Sequence, residues 1–445
     1  MKLNKRIILG IILVGYFMII LDNSIIFTGT IKIAQSMHLD EVQLSWIQNA
    51  YALFFGGFML LGGRAGDVFG RKRVFEIGLV IFAIGSFLVG ISMTGVFMIV
   101  CRALQGIGAA IIAPTTLALI MDNFTGYERT KAVAWYGSMA GVGASVSQIL
   151  GGFFASFIGW RFGFFINVPI AIVMIVMSQK FIPEGHKQPG KFDWLGAILS
   201  LVAISSLIYA IDGAQQPLIF GAIAFVFLLL FIVVENKVKQ PIMPLKVFLN
   251  RVRFGAYVGR IAFTGALIAF WFFTPQMLQE YLHYTPFEAG IAFLPLTIVT
   301  FVFSLQVPKL TTKLGNGKLL LLGIMITMIG MGTMIFYQHG YWLELAIPMM
   351  IVGVGQGLAF APLTAAGIFA VNDKDAGAAS GVVNVMHQIG AAFGISLITS
   401  LTMGIHNPVA KFSTSMKGIT ILLLIVVVIT MVFIIPKKVS RKKEA

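Results

Sequence analysis

Between Arg6 and Lys32 the chain carries neither lysine nor arginine, and the run from Ile7 to Thr30 is apolar except at Asp22-Asn23-Ser24. A hydrocarbon core about 30 Å thick is crossed by about 20 apolar residues in an α-helix. The run therefore reads as a membrane span, and the rest of the chain repeats it. Apolar stretches long enough to span recur near 7–34, 44–62, 74–93, 97–121, 132–155, 162–182, 194–211, 218–234, 254–279, 287–307, 319–337, 343–369, 376–403 and 419–435, which predicts fourteen spans. A carboxylate at a membrane centre costs at least ~2.5 kcal/mol and persists mainly where it faces a partner or a watery cavity. Asp22 is accordingly the first candidate functional residue, expected in a water-reachable space. A buried aspartate bonded to nearby hydroxyls or amides is the structural alternative.

Composition agrees with a polytopic membrane protein: 58% of residues are hydrophobic, 11% are charged, and the mean hydropathy is +0.93. A soluble domain does not show such values. The net charge of +15 does not point to nucleic acid, because the basic residues lie scattered in short segments between apolar runs. With the N-terminus on side one and the connections alternating, 26 of the 32 Lys and Arg fall at helix ends or connections on that side. Four fall on the other side, and Arg102 and Arg260 lie inside spans. The positive-inside rule then places both termini in the cytoplasm of a multi-pass cell-membrane protein. Cys101 is the only cysteine, so no intramolecular disulfide is possible. The basic N-terminus followed by an apolar run imitates a secretory signal, but the run is too long and lacks a small-residue cleavage site, so it is read as a retained helix. No Walker loop, metal cluster or catalytic triad is present, which argues against ATP-driven transport, an enzyme or a cofactor.

Polar connections around Pro183 to Asp193 and Glu235 to Arg253 bracket the seventh and eighth spans. They divide the chain into a six-helix bundle (1–182), an inserted helical hairpin with its linkers (183–253), a second six-helix bundle (254–435) and a basic tail (436–445). Gln105-Gly106 with Ala113-Pro114 in the fourth span is echoed, at a different spacing, by Gln356-Gly357 with Ala361-Pro362 in the twelfth. Paired bundles related by internal repetition place a substrate path at their interface near the midplane.

The connection Gly63-Arg64-Ala65-Gly66-Asp67-Val68-Phe69-Gly70-Arg71-Lys72-Arg73 resembles the signature loop of the major facilitator superfamily. The likeness implies that Asp67, Arg71 and Arg73 hold a cytoplasmic latch between bundles, although Val68 stands where that family often has a basic residue. An ordinary basic inside loop is the alternative. The fifth span carries Gly137, Gly141, Gly143, Gly151 and Gly152, and Gly137 to Gly141 has the small-xxx-small spacing of close helix packing. That glycine run also resembles the antiporter motif of drug exporters. Gly159-Trp160-Arg161, Asn167-Val168-Pro169, Phe192-Asp193-Trp194-Leu195-Gly196 and Asp22-Asn23-Ser24 extend the likeness, from about Leu21 to Leu401, to the fourteen-span QacA/EmrB-like drug:proton antiporters. Ser147-Gln148 departs from it, standing where that family usually has Gly-Pro, so no proline kink is expected there.

The resemblance implies an all-α membrane protein with the major facilitator fold, two six-helix bundles plus an inserted hairpin. It also implies export of lipophilic, often cationic, drugs or dyes by alternating access in exchange for protons. The proton gradient is then the energy source, with no cofactor, and the chain is expected to act as a monomer. Helix rise puts Asp22 and Arg102 each about 8 Å from the outer edge of the core, so the two can share a depth. Gln105, at i+3, lies on about the same face as Arg102. Arg102 bonded only to backbone carbonyls is the structural alternative. Asp212, at the end of the seventh span, is either solvated at the interface or a second carboxylate facing the cavity. Asn23, Trp46, Gln356, Asn384 and His387 are further candidates to line that cavity, the aromatics by stacking and cation–π attraction. Packing and helix-to-helix hydrogen bonds explain them equally well. A carboxylate that holds either a proton or a cation, but rarely both, would couple the two fluxes. An exporter or importer of a metabolite such as an amino acid or sugar is the competing reading within transport. A membrane scaffold or sensor is the competing reading outside it.

Overall fold

A computed structural model describes residues 3–184, 193–211, 215–238, 241, 243, 245–338, 340–371 and 373–435. Its long helices are, in chain order, α1 (Leu3–Met37), α2 (Glu41–Phe69), α3 (Arg71–Gly90), α4 (Gly95–Asn123), α5 (Gly126–Phe153), α6 (Trp160–Phe181) and α7 (Trp194–Ile211). There follow α8 (Pro217–Lys237), α9 (Arg251–Glu280), α10 (Pro286–Ser304), α11 (Asn316–Phe336), α12 (Trp342–Gly367), α13 (Asp373–Thr402) and α14 (Pro408–Ile434). Thirteen helices among the described residues are long and apolar enough to cross a membrane; α5 contributes a shorter apolar stretch, Gly143–Ile158. No strand occurs among the described residues.

Side chains close several helix ends where backbone N–H groups have no partner within the helix. Asp40 and Gln43 form a reciprocal capping box at α2, Thr285 and Glu288 do the same at α10, and Asn250 and Asn407 cap α9 and α14. The last cap corrects the sequence reading, in which the final span begins near 419. Pro408 starts the helix, and its polar first turns are held by Lys411, whose ammonium lies 2.8 Å from Glu41 of α2. The tenth span likewise stops at Ser304, short of the expected 307, and a separate short helix, Val307–Leu314, follows with Lys309 and Lys313 on it.

Among the first six helices, α4 packs on α2 and α3 and also touches α1 and α5. Among the last six, α12 packs on α10 and α11, and α9 packs on α13 and α14. The two sets meet where α2 lies on α13, α5 on α10 and α1 on α9. Helices α7 and α8 pack on each other as a hairpin, and α7 leans against α2 and α13. A small cavity at that contact is lined mainly by apolar groups, among them Ala52, Gly56, Leu201 and Ile389.

Lipid tails are as apolar as leucine, so helices in a bilayer associate through close approach and hydrogen bonds, with little hydrophobic gain. The α5–α10 crossing follows that rule. A Cβ on Gly152 would lie 2.4 Å from the Pro286 carbonyl oxygen, and one on Gly290 would lie 2.5 Å from that of Gln148. Phe287 N–H donates to Ser156 Oγ at 2.9 Å across the same contact. The spacing argument favoured Gly137 and Gly141, yet a Cβ on Gly137 would meet nothing within 4 Å. The close approach lies instead at the other end of α5, which runs unbroken through Ser147-Gln148 and ends in a π-helical turn at Phe154–Ile158.

Gly152→Val should therefore push α5 off α10. In a Cys101→Ala background, a Ser156→Cys/Phe287→Cys pair is expected to form a disulfide readily, and about tenfold more slowly or worse when Gly152→Val is added. An unchanged cross-linking rate would show that the crossing does not depend on this contact.

Candidate functional site

A buried polar cluster is assembled by three helices. Asp22 and Asn23 come from α1, Gln48 and Tyr51 from α2, and Arg102 and Gln105 from α4, the last two one helical turn apart. Gly106 makes the assembly possible, because a Cβ there would lie 2.5 Å from the Tyr51 carbonyl oxygen and hold α4 away from α2. Arg102 Nη1 is ion-paired with Asp22 Oδ2. The same Nη1 donates to Gln105 Oε1 at 2.7 Å, and Gln105 Nε2 donates to Asp22 Oδ1 at 2.5 Å, closing a ring. Arg102 also donates from Nε to the Ile47 carbonyl at 3.2 Å and from Nη2 to Gln48 Oε1 at 3.3 Å, and its guanidinium stacks 4.2 Å over the Tyr51 ring. Gln48 Nε2 donates to Asn23 Oδ1 at 2.8 Å, and Asn23 Nδ2 to the Ile19 carbonyl at 2.9 Å.

Asp22 and Arg102 are both 0% exposed. Helix rise allowed the two charges to share a depth, and the structure joins them directly. It does not place Asp22 in a water-reachable space: in this conformation the carboxylate is enclosed by α1, α2 and α4. Gln48 was missed from the sequence, where its only signal was a pair of amides, Gln48-Asn49, inside an apolar run.

The other candidates are placed elsewhere. Trp46 meets Tyr209 of α7 edge-on at 5.9 Å, at the hairpin contact. Asn384 is exposed on α13 and donates to the Ser380 carbonyl of its own helix at 3.1 Å. His387 Nδ1 lies 3.2 Å from Thr264 Oγ1 of α9, and Gln356 Oε1 is buried on α12 without a hydrogen-bond partner. Asp212 lies outside the described residues. In the predicted latch, Arg71 pairs with Asp67 at 3.0 Å and with Asp122 of α4 at 2.5 Å, and also donates to the Ala118 carbonyl. Arg73 is exposed. These contacts tie the α2–α3 corner to α4 within the first six helices, whereas the sequence likeness implied a latch from one bundle to the other. Asp122, the residue that receives Arg71, was not singled out from the sequence.

The sequence model of the Major Facilitator Superfamily matches residues 12–395. The chain belongs to that superfamily. Its all-helical fold is that of the superfamily's transporters: a solved structure of the nucleoside transporter NupG superposes with a TM-score of 0.69 at 12% identity, covering 96% of this chain and 99% of that one. Among curated relatives, it is 30% identical over 410 residues to the puromycin resistance protein pur8 of Streptomyces alboniger, covering 89% of this chain and 81% of the relative. It is 29% identical over 440 residues to the cephamycin export protein CmcT of Amycolatopsis lactamdurans, covering 94% and 90%. This major facilitator protein is thus a multi-pass membrane transporter, and Asp22, Gln48, Arg102 and Gln105 all lie within the superfamily match.

Removing one partner of a buried pair leaves an uncompensated charge, at a cost of about 3–5 kcal/mol. Asp22→Asn and Arg102→Gln should each lower the unfolding temperature in detergent, and the double variant should recover much of the loss. Additive losses in the double variant would show that the two charges do not stabilise one another.

Proposed function

We propose that the protein is a proton-coupled antiporter of the fourteen-span drug-exporter branch, moving lipophilic, often cationic, small molecules out of the cell by alternating access. The observation that carries this reading is the enclosed Asp22–Arg102–Gln105 ring, a carboxylate held inside the protein by a partner that does not depend on it alone. A proton on Asp22 cancels its attraction for Arg102, yet Arg102 keeps Gln105, Gln48 and the Ile47 carbonyl as acceptors. When the pair opens, the guanidinium keeps these hydrogen-bond acceptors but loses its counter-charge, a cost that cargo binding or the entry of water has to offset. A cationic cargo competes for the same carboxylate oxygens, so proton and cargo exclude one another, as exchange requires. Moving each charge down the membrane potential releases about 2.3 kcal/mol per 100 mV.

On this reading α5 is the fourteenth span, and residues 1–182 and 254–435 are the two moving bundles. Residues 183–253 form the inserted hairpin and 436–445 the tail, with both termini cytoplasmic and the monomer as the working unit. Asp67 and Arg71 brace the α2–α3 corner on α4 during the movement, and Arg73 stands beside them. Asp212 is a second candidate carboxylate, and Asn23, Trp46, Gln356, Asn384 and His387 are candidate contacts for cargo once the centre opens. The relatives named for puromycin resistance and cephamycin export support export as the direction of transport.

In proteoliposomes with an imposed pH gradient, wild type should exchange protons for a dye cation, and Asp22→Asn should abolish that exchange while still inserting at normal yield. Undiminished exchange by Asp22→Asn would overturn the reading.

A further inference from the structure

The second arginine inside a span, Arg260 on α9, has no role in the cluster described above. It is 3% exposed, and α9 is the most buried of the candidate spans, so its guanidinium faces the protein interior and is kept from lipid. Arg102 has Asp22; among the described residues no carboxylate is in ion-pair contact with Arg260. Its described contacts are with uncharged groups. Nη1 donates to Thr364 Oγ1 of α12 at 3.2 Å, the guanidinium lies 4.1 Å over the Phe360 ring, and Nε is buried without a hydrogen-bond partner. Phe360 in turn meets His387 of α13 edge-on at 6.0 Å, and His387 bonds Thr264, one turn along α9 from Arg260. Gln356, one turn along α12 from Phe360, holds its unpartnered Oε1. Phe360 is 39% exposed, so the protein itself does not cover the cluster completely.

An arginine guanidinium carries five N–H donors in a planar fork that fits a carboxylate or phosphate bidentately. Here one donor has a described acceptor, one is orphaned, and among the described residues the charge is unmatched. We propose that Arg260, with Thr364, Phe360 and His387, forms a receptor for the anionic end of a transported aromatic or lipophilic molecule, a carboxylate above all. Phe360 offers its face to the adjoining ring, and Thr264 orients His387. Asp22 and Arg260 then present opposite charges on the two halves of the transporter, so that amphoteric and acidic molecules join the cations as cargo. The inference rests on the transport reading for the word cargo, but its test does not need proton coupling.

Fluorescein, an aromatic carboxylate, and rhodamine 6G, a cation built on the same xanthene frame, can be titrated by fluorescence anisotropy against the purified full-length protein in neutral detergent. Fluorescein should bind wild type; Arg260→Gln should weaken it about tenfold or more while changing rhodamine 6G less than about twofold, and Arg260→Lys should restore part of the loss. Binding is read without a gradient, so a failure of proton coupling at Asp22 leaves this result intact. No fluorescein binding to wild type, equal weakening of both dyes, or no effect of either Arg260 substitution would overturn the proposal. Displacement of fluorescein by equimolar phosphatidylglycerol would also overturn it, by assigning the receptor to a lipid headgroup.

Discussion

The ion pair between Asp22 and Arg102 is the constraint to which the first six helices answer. Two unit charges drawn out of water are tolerable only when their geometry is good and their remaining donors and acceptors are met. Three helices supply what is needed: Gln105 bridges both ions, Gln48 and the Ile47 carbonyl take the rest of the guanidinium, and Tyr51 covers its face. The backbone spacing that allows this is set by Gly106, so packing and electrostatics at this place are one problem.

Contacts between the first and last six helices are of a different kind. At the α5–α10 crossing, backbones touch through Gly152 and Gly290, and Gln279 of α9 donates to the Thr28 carbonyl of α1 at 3.1 Å. The Lys411–Glu41 pair joins α14 to α2, and Asn49 Nδ2 of α2 donates to Ser396 Oγ of α13 at 2.7 Å. These polar contacts are spread along the seam between the halves, beside apolar packing of α2 on α13, whereas the ion pair sits wholly within the cluster formed by α1, α2 and α4. The α7–α8 hairpin rests against α2 and α13, beside the contact between the halves and away from Asp22.

Much of this was legible in the sequence, for reasons that can be named. Charges inside apolar runs are costly, so Asp22 and Arg102 stood out, and a fixed helix rise was enough to bring them to one depth. What the one-dimensional pattern does not hold is facing. Gly137 has the right spacing for a crossing, yet it meets nothing and the close approaches are at Gly151 and Gly152, because spacing says nothing of which side of a helix meets a neighbour. Gln48 and Asp122 were passed over because amides in spans and acids at helix ends are common, and only tertiary structure brings them to Arg102 and Arg71. Arg260 was visible as a charge, but its described neighbours are spread over three helices and none of them is acidic. The start of α14 was hidden by Lys411 and Lys417, which read as a connection until Glu41 is found beside Lys411.

Whether Asp22 changes its protonation state within the intact protein is the most direct question. Infrared difference spectra between acidic and alkaline buffer, recorded on wild type and on Asp22→Asn, isolate the signal of that carboxyl. The account predicts a protonated carboxyl band that appears on acidification, is missing from the variant, and shrinks when a cationic dye is added. A wild-type spectrum indistinguishable from that of Asp22→Asn across the pH range in which transport operates would contradict it.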